Sequence, residues 1–296
     1  MSTRIRNIFQ DSDKHFDPGN TKNYDLTILL SEDGFSFIVA DPALGKYISL
    51  GVYEPVENLP PGKTARSEIM LNAFNAFVNN HSFLGKTFAS SRLLVETRLS
   101  TLIPAALYDP DQIAAYLNYS FHLPEQCHFA SDMLPSADAY HVYAIPADWR
   151  KLAEISLPKV RFLHAGSCFV ESVHMYARTQ QLNEAVFVHL RPAWFEMAYL
   201  ANDKLIFYNT FAYSTQEDFI YHILFALGQL NLSPEMTDIY LAGEVEQDSP
   251  LHAIAKKYLR HVHFTIRIEN IGYSYIFDSI PQHYYFTLIH AQQCAL

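Results

Sequence analysis

The amino-acid sequence predicts an α/β protein with mixed sheets that is built from two copies of one unit. Residues 26–53 and residues 186–213 each contain three short, aromatic-rich stretches separated by turn residues. Alternating apolar residues bounded by Gly, Pro, Asn and Asp are typical of β-strands joined by tight turns. An amphipathic helix is expected after each copy, so the sequence favours two lobes of the same design.

The first copy begins with a hairpin. Asp33-Gly34 lies between two apolar runs, and this dipeptide favours a tight turn because Gly accepts a positive φ. A second turn at Asp41-Pro42 precedes the third strand, and a helix is expected to begin near Thr64. The predicted strands are Leu26–Leu30, Phe35–Ala40 and Tyr47–Tyr53.

The second copy repeats the three strands and is followed by a helix with a clear start signal. Ser214 and Glu217 match the S-x-x-E capping box, in which the side chains satisfy backbone N–H groups at the start of a helix. Apolar residues from Phe219 to Leu230 are spaced as on one helix face. The predicted strands are Val186–Leu190, Trp194–Leu200 and Leu205–Phe211.

The parallel between the copies continues beyond these helices. Strands are expected at Leu93–Leu99 and at Asp238–Ala242. A polar cap followed by proline comes after each strand, at Asp109-Pro110 and at Ser249-Pro250, and this pair favours the start of a helix. A repeated βββ-α-β-α order with matching caps favours a duplication. The alternative is two unrelated α+β domains that share a common meander.

The repeat predicts the domain organisation. We expect a flexible N-terminal segment at residues 1–22, a first lobe at residues 23–180 and a second lobe at residues 181–296. The N-terminal segment is polar and has no apolar stretch typical of a signal peptide. Ser279-Ile280-Pro281 predicts a last helix to about Gln293, which is a candidate to pack back on the first lobe.

The composition argues against several classes of protein. The chain has 296 residues, of which 49% are hydrophobic, so it can bury a large core. Its formal net charge of −10 argues against nonspecific binding of DNA or RNA, although a local basic patch would escape this argument. No apolar stretch reaches the roughly 18 residues of a transmembrane helix. Three widely spaced cysteines match no disulfide or metal pattern and predict the reducing cytoplasm. The 21 Phe and 19 Tyr suit strand packing or, alternatively, a partner-binding surface.

Three stretches carry a family resemblance: Thr101–Asp109, Tyr116-Leu117 and Ile239–Gly243. With the duplicated order of elements, they resemble a family of uncharacterised proteins found mainly in Bacteroides-type bacteria, over about residues 22–296. The resemblance implies the actin-like ATPase fold, in which two ribonuclease-H-like lobes face each other across a nucleotide cleft. The pilus and secretion scaffold proteins PilM and GspL are more distant relatives in fold.

The loops that would hold phosphate depart from the pattern that this resemblance implies. An active member has an Asp-x-Gly-Ser/Thr turn after the first strand of each lobe, where backbone N–H groups reach phosphate and Asp organises Mg²⁺. In the first lobe Asp33 and Gly34 are adjacent, and Phe35 replaces the hydroxyl residue. In the second lobe the turn is Arg191-Pro192, which has neither carboxylate nor glycine. ATP and Mg²⁺ are therefore disfavoured as cofactors.

Further cleft candidates come from the second lobe. Gly243 is what remains of the glycine pair on the adenosine side, and Glu244 places an anion beside the expected nucleotide. His189 and Arg191 alternate along the first strand, so their side chains share one face, and Arg191 could bind a carboxylate or phosphate. The alternative is a solvated strand end. The candidate cleft residues are Asp33, Gly34, His189, Arg191 and Gly243; no catalytic or metal-binding residue is predicted.

Two other motifs have simple structural interpretations. Gly166-Ser167-Cys168 opens a helix after a strand but lacks the second glycine of a nucleophile elbow, so Ser167 is expected to cap the helix and Cys168 to lie in the core. His261 and His263 share a strand face and could supply two metal ligands, but no third ligand is visible nearby.

The preferred functional hypothesis is a non-catalytic actin-like scaffold or interaction module with a protein partner. The alternative is a protein that binds a nucleotide or related small molecule in the cleft with little or no ATP hydrolysis. An ATPase or kinase-like enzyme is disfavoured because the phosphate-loop motifs are missing. A cleft filled by side chains would favour the scaffold, whereas an open, polar cleft would favour the binding protein.

Overall fold

The computed structural model describes residues 5–31, 33–56, 63–268, 271–294 and 296, with the backbone alone at residues 55 and 63–70. In chain order its strands are β1 (Ile5–Ser12), β2 (Asp25–Leu30), β3 (Phe35–Asp41), β4 (Lys46–Pro55), β5 (Ser90–Val95), β6 (Ser100–Pro104), β7 (Cys127–Leu134), β8 (Ala139–Pro146), β9 (Arg161–His164), β10 (Glu184–Leu190), β11 (Trp194–Ala201), β12 (Lys204–Ala212), β13 (Asp238–Gly243), β14 (His261–Phe264) and β15 (Gly272–Tyr273). Its α-helices are α1 (Lys63–Asn80), α2 (Ile113–Ser120), α3 (Ala147–Ser156), α4 (Ala165–Thr179), α5 (Gln216–Gln229), α6 (Pro250–Tyr258) and α7 (Phe286–His290). Among the described residues, no helix combines the length and the apolar character that a membrane crossing requires.

The two large sheets have the same topology. The first contains the order β4-β3-β2-β5-β9, and the second has the order β12-β11-β10-β13-β14. In both sheets the first three strands along the chain pair antiparallel, and the next two are added in parallel. The predicted α/β class with two ribonuclease-H-like lobes is therefore confirmed. The shared strand order favours the duplication over the alternative of two unrelated domains.

The first lobe contains an insertion between β5 and α3. It holds the three-stranded antiparallel sheet β6-β8-β7 and helix α2, which packs on Val142 and Ala144 of β8. Asp109 does cap the start of this region, since its side chain accepts a hydrogen bond from the N–H of Asp111 at 2.9 Å. However, the prediction that the helix in this region is the counterpart of α6 in the second lobe is wrong. The counterpart of α6 is α3, which directly precedes the last strand of its sheet, β9.

Each sheet is covered on both faces. In the first sheet α1 and α3 pack on one face, whereas Phe277, Leu288 and Ile289 from the C-terminal region pack on the other. In the second sheet α5 and α6 cover one face, and α4 covers the other. Helices α4 and α7 thus lie between the lobes. The alternation of strand side chains sends neighbouring residues of β10 to opposite faces, Val188 outward to α5 and His189 inward to this middle layer.

The N-terminal residues differ from the expected flexible segment. Ile5–Ser12 forms β1, which pairs antiparallel with β4 and extends the first sheet by one strand. Most of its side chains are exposed, and Ile5 and Phe9 are among the few that make apolar contacts with the sheet. A half-exposed edge strand of this kind lacks the apolar alternation that marks inner strands.

Two helix boundaries also differ from the expected ones. The capping box of α5 consists of Thr215 and Asp218, one residue later than the predicted pair. The helix expected from Pro281 to Gln293 is reduced to α7, which begins only at Phe286. Tyr285 immediately before it has a φ of 55°, which is incompatible with a continuous helix.

Candidate functional site

A cleft of about 700 Å³ lies between the lobes. Its walls come from the segments that follow the carboxyl ends of β2, β5, β10 and β13, together with residues of the C-terminal region. Ligands of α/β proteins bind at the carboxyl ends of the parallel strands, and small-molecule sites are typically about 300–1,000 Å³. All five cleft candidates from the sequence line this one cavity: Asp33, Gly34, His189, Arg191 and Gly243.

In the turn of the first lobe, the backbone N–H groups are bound by a side chain of the turn itself. The Ser31 hydroxyl accepts hydrogen bonds from the backbone N–H groups of Asp33 at 3.2 Å and Gly34 at 3.1 Å. The same hydroxyl donates to the Gly34 carbonyl at 3.0 Å. These are the N–H groups of the predicted phosphate turn, and the serine side chain occupies the position from which a phosphate oxygen would accept them. The turn is therefore satisfied without an anion.

Gly34 is required for a different reason from the predicted one. Among the described glycines, a positive φ occurs only at Gly45 and Gly243. At Gly34 a Cβ would lie 2.5 Å from the carbonyl oxygen of Tyr53 on β4. The close approach of two backbones excludes a side chain here.

The turn of the second lobe is occupied by protein contacts as well. The Arg191 N–H donates to the Trp194 carbonyl at 2.9 Å, and Pro192 has no N–H. The Arg191 guanidinium forms an ion pair across the cleft with Glu96, which follows β5 in the first lobe. A second carboxylate, that of Glu196, lies 3.9 Å from the same group. Arg191 thus joins the two lobes.

His189 and Glu196 form a buried pair below Arg191. The His189 Nδ1 lies 3.0 Å from the Glu196 carboxylate, which also accepts a hydrogen bond from the Tyr208 hydroxyl at 2.9 Å. Burial, with a smaller contribution from the Arg191 charge, lowers the pKa of His189 to about 4, so the ring is neutral at pH 7. Burial alone would raise the pKa of Glu196, but the contacts with His189, Arg191 and Tyr208 hold it below its usual value.

The protonation of His189 follows from this pairing. Ionised Glu196 can only accept hydrogen bonds, so the neutral ring carries its proton on Nδ1. The remaining nitrogen, Nε2, is then an acceptor. It is buried and has no hydrogen-bond partner in the part of the chain that the structure describes.

Gly243 ends β13, where the backbone of the neighbouring strand β10 lies close to it. It has a φ of +97°, and a Cβ would lie 2.4 Å from the Leu190 carbonyl oxygen and 3.1 Å from the His189 Cδ2. Its N–H donates to the His283 carbonyl at 2.9 Å. The residue after it, Glu244, faces the cleft, and partial withdrawal from solvent raises the pKa of its carboxyl group.

Replacing Gly243 with alanine is expected to lower the free energy of unfolding by about 2–3 kcal/mol, because the substitution combines backbone strain with a steric clash. The matched control is Gly228→Ala in α5, where a Cβ meets open space. That change is expected to stabilise the protein by about 0.5–1 kcal/mol through helix propensity. Urea denaturation of both variants measures the difference. Equal effects would contradict the proposed packing at Gly243.

Sequence reasoning missed three residues that shape this site: Ser31, Glu96 and Glu196. Ser31 precedes the turn and resembled an ordinary polar turn residue. Glu96 and Glu196 stand among strand residues, where a carboxylate usually faces solvent, yet they are 6% and 1% exposed. A glutamate inside the apolar run Phe195 to Leu200 was the available signal, since a lone charge in a buried strand requires a partner.

The structure places the other two motifs in separate sets of hydrogen bonds. The cap of α4 is His164, whose Nδ1 accepts from the Gly166 N–H at 3.0 Å, so the expected cap at Ser167 is wrong. Ser167 instead donates to Asp132 at 2.7 Å, and Cys168 is buried, as expected. His263 contacts Asp238 at 2.8 Å. In the described part of the chain, no three His, Cys, Asp or Glu side chains are grouped so that they could hold a metal ion.

Comparison with known proteins agrees with this architecture. The model of a family described as "Protein of unknown function (DUF3822)" matches residues 13–262. A search of curated proteins found no match. Among solved structures, a protein of Bacteroides thetaiotaomicron VPI-5482 with an actin-like ATPase fold and unknown function is 19% identical, with a TM-score of 0.73, and the match covers 84% of this chain and 93% of that chain. The PilM–PilN type IV pilus biogenesis complex is 14% identical, with a TM-score of 0.55, over 91% of this chain and 98% of that chain.

These two structures share the fold described above, and the family match spans most of the sequence. The chain has the actin-like ATPase fold and belongs to the DUF3822 family, whose function is unknown.

Proposed function

We propose that this protein is a non-catalytic actin-like module that acts by binding a protein partner. The observation that carries the proposal is the state of the two turns at the cleft. In the first turn the Ser31 hydroxyl takes the N–H groups of Asp33 and Gly34, and in the second the Arg191 N–H is used by Trp194. Backbone donors that are already bonded within the protein do not form a cradle for phosphate.

Two further observations support a protein partner. The PilM–PilN complex is an example of this fold in a protein assembly, at a similarity that extends to the fold alone. On the outer face of α5, Tyr221 and Phe225 are 61% and 51% exposed, and their rings stack with centroids 6.1 Å apart. Exposed aromatic side chains are enriched in protein–protein interfaces. The three free cysteines agree with a place in the reducing cytoplasm.

An assay of ATP hydrolysis tests the proposal that the protein is non-catalytic. Purified protein with ATP and Mg²⁺ is expected to release phosphate no faster than the protein-free blank, and the Asp33→Ala variant is expected to give the same result. Phosphate release measured in parallel with an active ATPase provides the positive control. A Mg²⁺-dependent rate that Asp33→Ala abolishes would overturn the proposal.

A second candidate function is favoured by the open volume between the lobes. A cleft of about 700 Å³ that is partly polar suits a nucleotide or a related small molecule bound without turnover. A ligand that binds only the native state raises its apparent stability. A rise in the melting temperature with millimolar nucleotide would support this function, and an unchanged melting temperature would count against it.

A further inference from the structure

The charge of the cleft is strongly one-sided. In the described part of the chain, its lining residues include five carboxylates and one permanent cation, Arg191; the carboxylates are those of Asp33, Glu54, Glu96, Glu244 and Glu246. Arg191 is engaged by Glu96, and Glu54 is paired with Arg6 at 2.7 Å. An anion entering this space would meet an excess of negative charge at short range.

Two carboxylates of the lining make no direct ion pair in the described part of the chain. Among the described residues, Glu244 and Glu246 make no ion pair and no side-chain hydrogen bond. Both lie directly after β13, on the same wall as Gly243. Withdrawal from solvent is the main cause of the raised pKa of the Glu244 carboxyl group; the Arg191 charge lowers this pKa, and like-charged Glu54 raises it by a smaller contribution. A cation in the cleft would relieve this repulsion.

An independent feature of the same wall requires a hydrogen-bond donor. His189 is 1% exposed and lines the cleft, and its Nε2 has no partner in the described structure. Because Nδ1 faces Glu196, Nε2 is an acceptor. A buried acceptor without a donor costs about 1–3 kcal/mol, so an N–H group placed beside it would be stabilising. Phosphate and carboxylate ligands have no such N–H group.

The remaining walls suit the apolar part of an organic cation. Four tyrosines line the cleft, Tyr53, Tyr213, Tyr284 and Tyr285, beside the aliphatic side chains of Val52 and Leu288. Aromatic faces attract guanidinium and ammonium groups, and they also pack against the methylene chains that carry these groups.

From these features, we propose that the interlobe cleft binds an organic cation, namely a guanidinium or ammonium group on a short aliphatic chain, with Glu244 and Glu246 as its counter-ions. The group comes either from a lysine or arginine side chain of a peptide or from a free polyamine. The inference refines the second candidate function, since the proposed ligand of the cleft is an organic cation and not a nucleotide. It rests on the cleft being a binding site, and it holds whether or not a protein partner binds at α5.

Isothermal titration calorimetry at about 150 mM NaCl, where long-range attraction by the net charge is screened, tests the proposal. The probes are acetyl-Gly-Arg-Gly-amide for the peptide source, spermidine for the free source, acetyl-Gly-Gln-Gly-amide as the neutral control, and ATP. We expect saturable one-site binding of at least one cationic probe and none of the neutral peptide or ATP. The probe that binds more tightly identifies the source.

Matched charge variants separate a site from a general charge effect. Glu244→Gln with Glu246→Gln is expected to weaken binding of the cation at least about tenfold, because both counter-ions are lost. Glu125→Gln with Glu217→Gln removes the same charge outside the cleft and is expected to leave binding unchanged. Absence of saturable cation binding, equal weakening by both pairs, or tighter binding of ATP would each overturn the proposal. None of these outcomes bears on ATP hydrolysis. The phosphate-release assay therefore tests the non-catalytic function independently of the cation-binding experiment.

Discussion

Arg191→Ala is expected to lower the free energy of unfolding by about 3–5 kcal/mol, the usual effect of removing one partner from a buried charge cluster. Arg191 faces Glu96 and Glu196, whose side chains are 7% and 1% exposed. Without the guanidinium, both carboxylates remain withdrawn from water and lose the positive charge that Arg191 supplies. The affected contacts join the two lobes, so the measurement is urea denaturation, with the midpoint and slope compared with those of the wild type.

The control for this prediction is a second arginine that is paired on the surface. Arg178 binds Asp203 in a two-point contact at 2.7 Å and 2.9 Å, but both side chains are more than half exposed. Arg178→Ala is expected to cost less than about 1 kcal/mol, as is typical of exposed ion pairs. A loss at Arg191 as small as the loss at Arg178 would show that the interlobe cluster adds no stability.

The effect of Arg191→Ala is expected to depend on pH. In the wild type the pKa of Glu196 is lowered, so its contribution to stability is present above the unfolded pKa of about 4.3 and is lost as pH falls through the folded pKa. The variant lacks part of this contribution. Loss of the Arg191 charge also removes one of the causes that lower the pKa of His189, so a protonated His189 can then serve as counter-ion to Glu196. The difference between wild type and variant is therefore largest near neutral pH and narrows below about pH 4.

Local patterns in the sequence were sufficient for the duplicated topology. Strand alternation and turn residues placed the inner strands β2, β3, β10 and β11 within one or two residues of their observed bounds. Two features escaped because they depend on distant pairing. The edge strand β1 is mostly exposed and lacks a pattern of its own, and the inserted sheet is held together by pairing of β6 and β7 with β8.

The candidate site could be predicted in position more readily than in chemistry. The five candidates could be found because turns at the ends of central strands meet at one edge of each sheet. The role of Glu96, by contrast, depends on the packing of one lobe against the other, which brings Arg191 to it. No pattern within either lobe contains this contact. The neutral state of His189 likewise could not be predicted from a local pattern, because it results from burial of the ring against the helices between the lobes.

Asp132→Ala is expected to be the most destabilising change outside the cleft, at about 3–5 kcal/mol, because it leaves several buried donors without an acceptor. Asp132 lies on β7 of the inserted sheet. It accepts hydrogen bonds from the His164 N–H at 2.7 Å, the Ser167 hydroxyl at 2.7 Å and the Tyr143 hydroxyl at 3.1 Å. These bonds fix the insertion to β9 and to the start of α4. Urea denaturation measures the loss, with Asp148→Ala, an exposed aspartate in the first turn of α3, as the control at less than about 1 kcal/mol.

The pH dependence of this loss distinguishes Asp132 from Arg191. Burial raises the pKa of the Asp132 carboxyl group, and the hydrogen bonds from His164, Ser167 and Tyr143 offset only part of that effect. A group with a raised folded pKa contributes most below its unfolded pKa, about 3.9 for aspartate, and loses that contribution as pH rises through the folded pKa. The cost of Asp132→Ala is therefore expected to be greatest in acid and to fall toward neutral pH, the reverse of the trend for Arg191→Ala. Parallel trends in the two variants would mean that Asp132 is stabilised as a carboxylate, with its hydrogen bonds outweighing its burial.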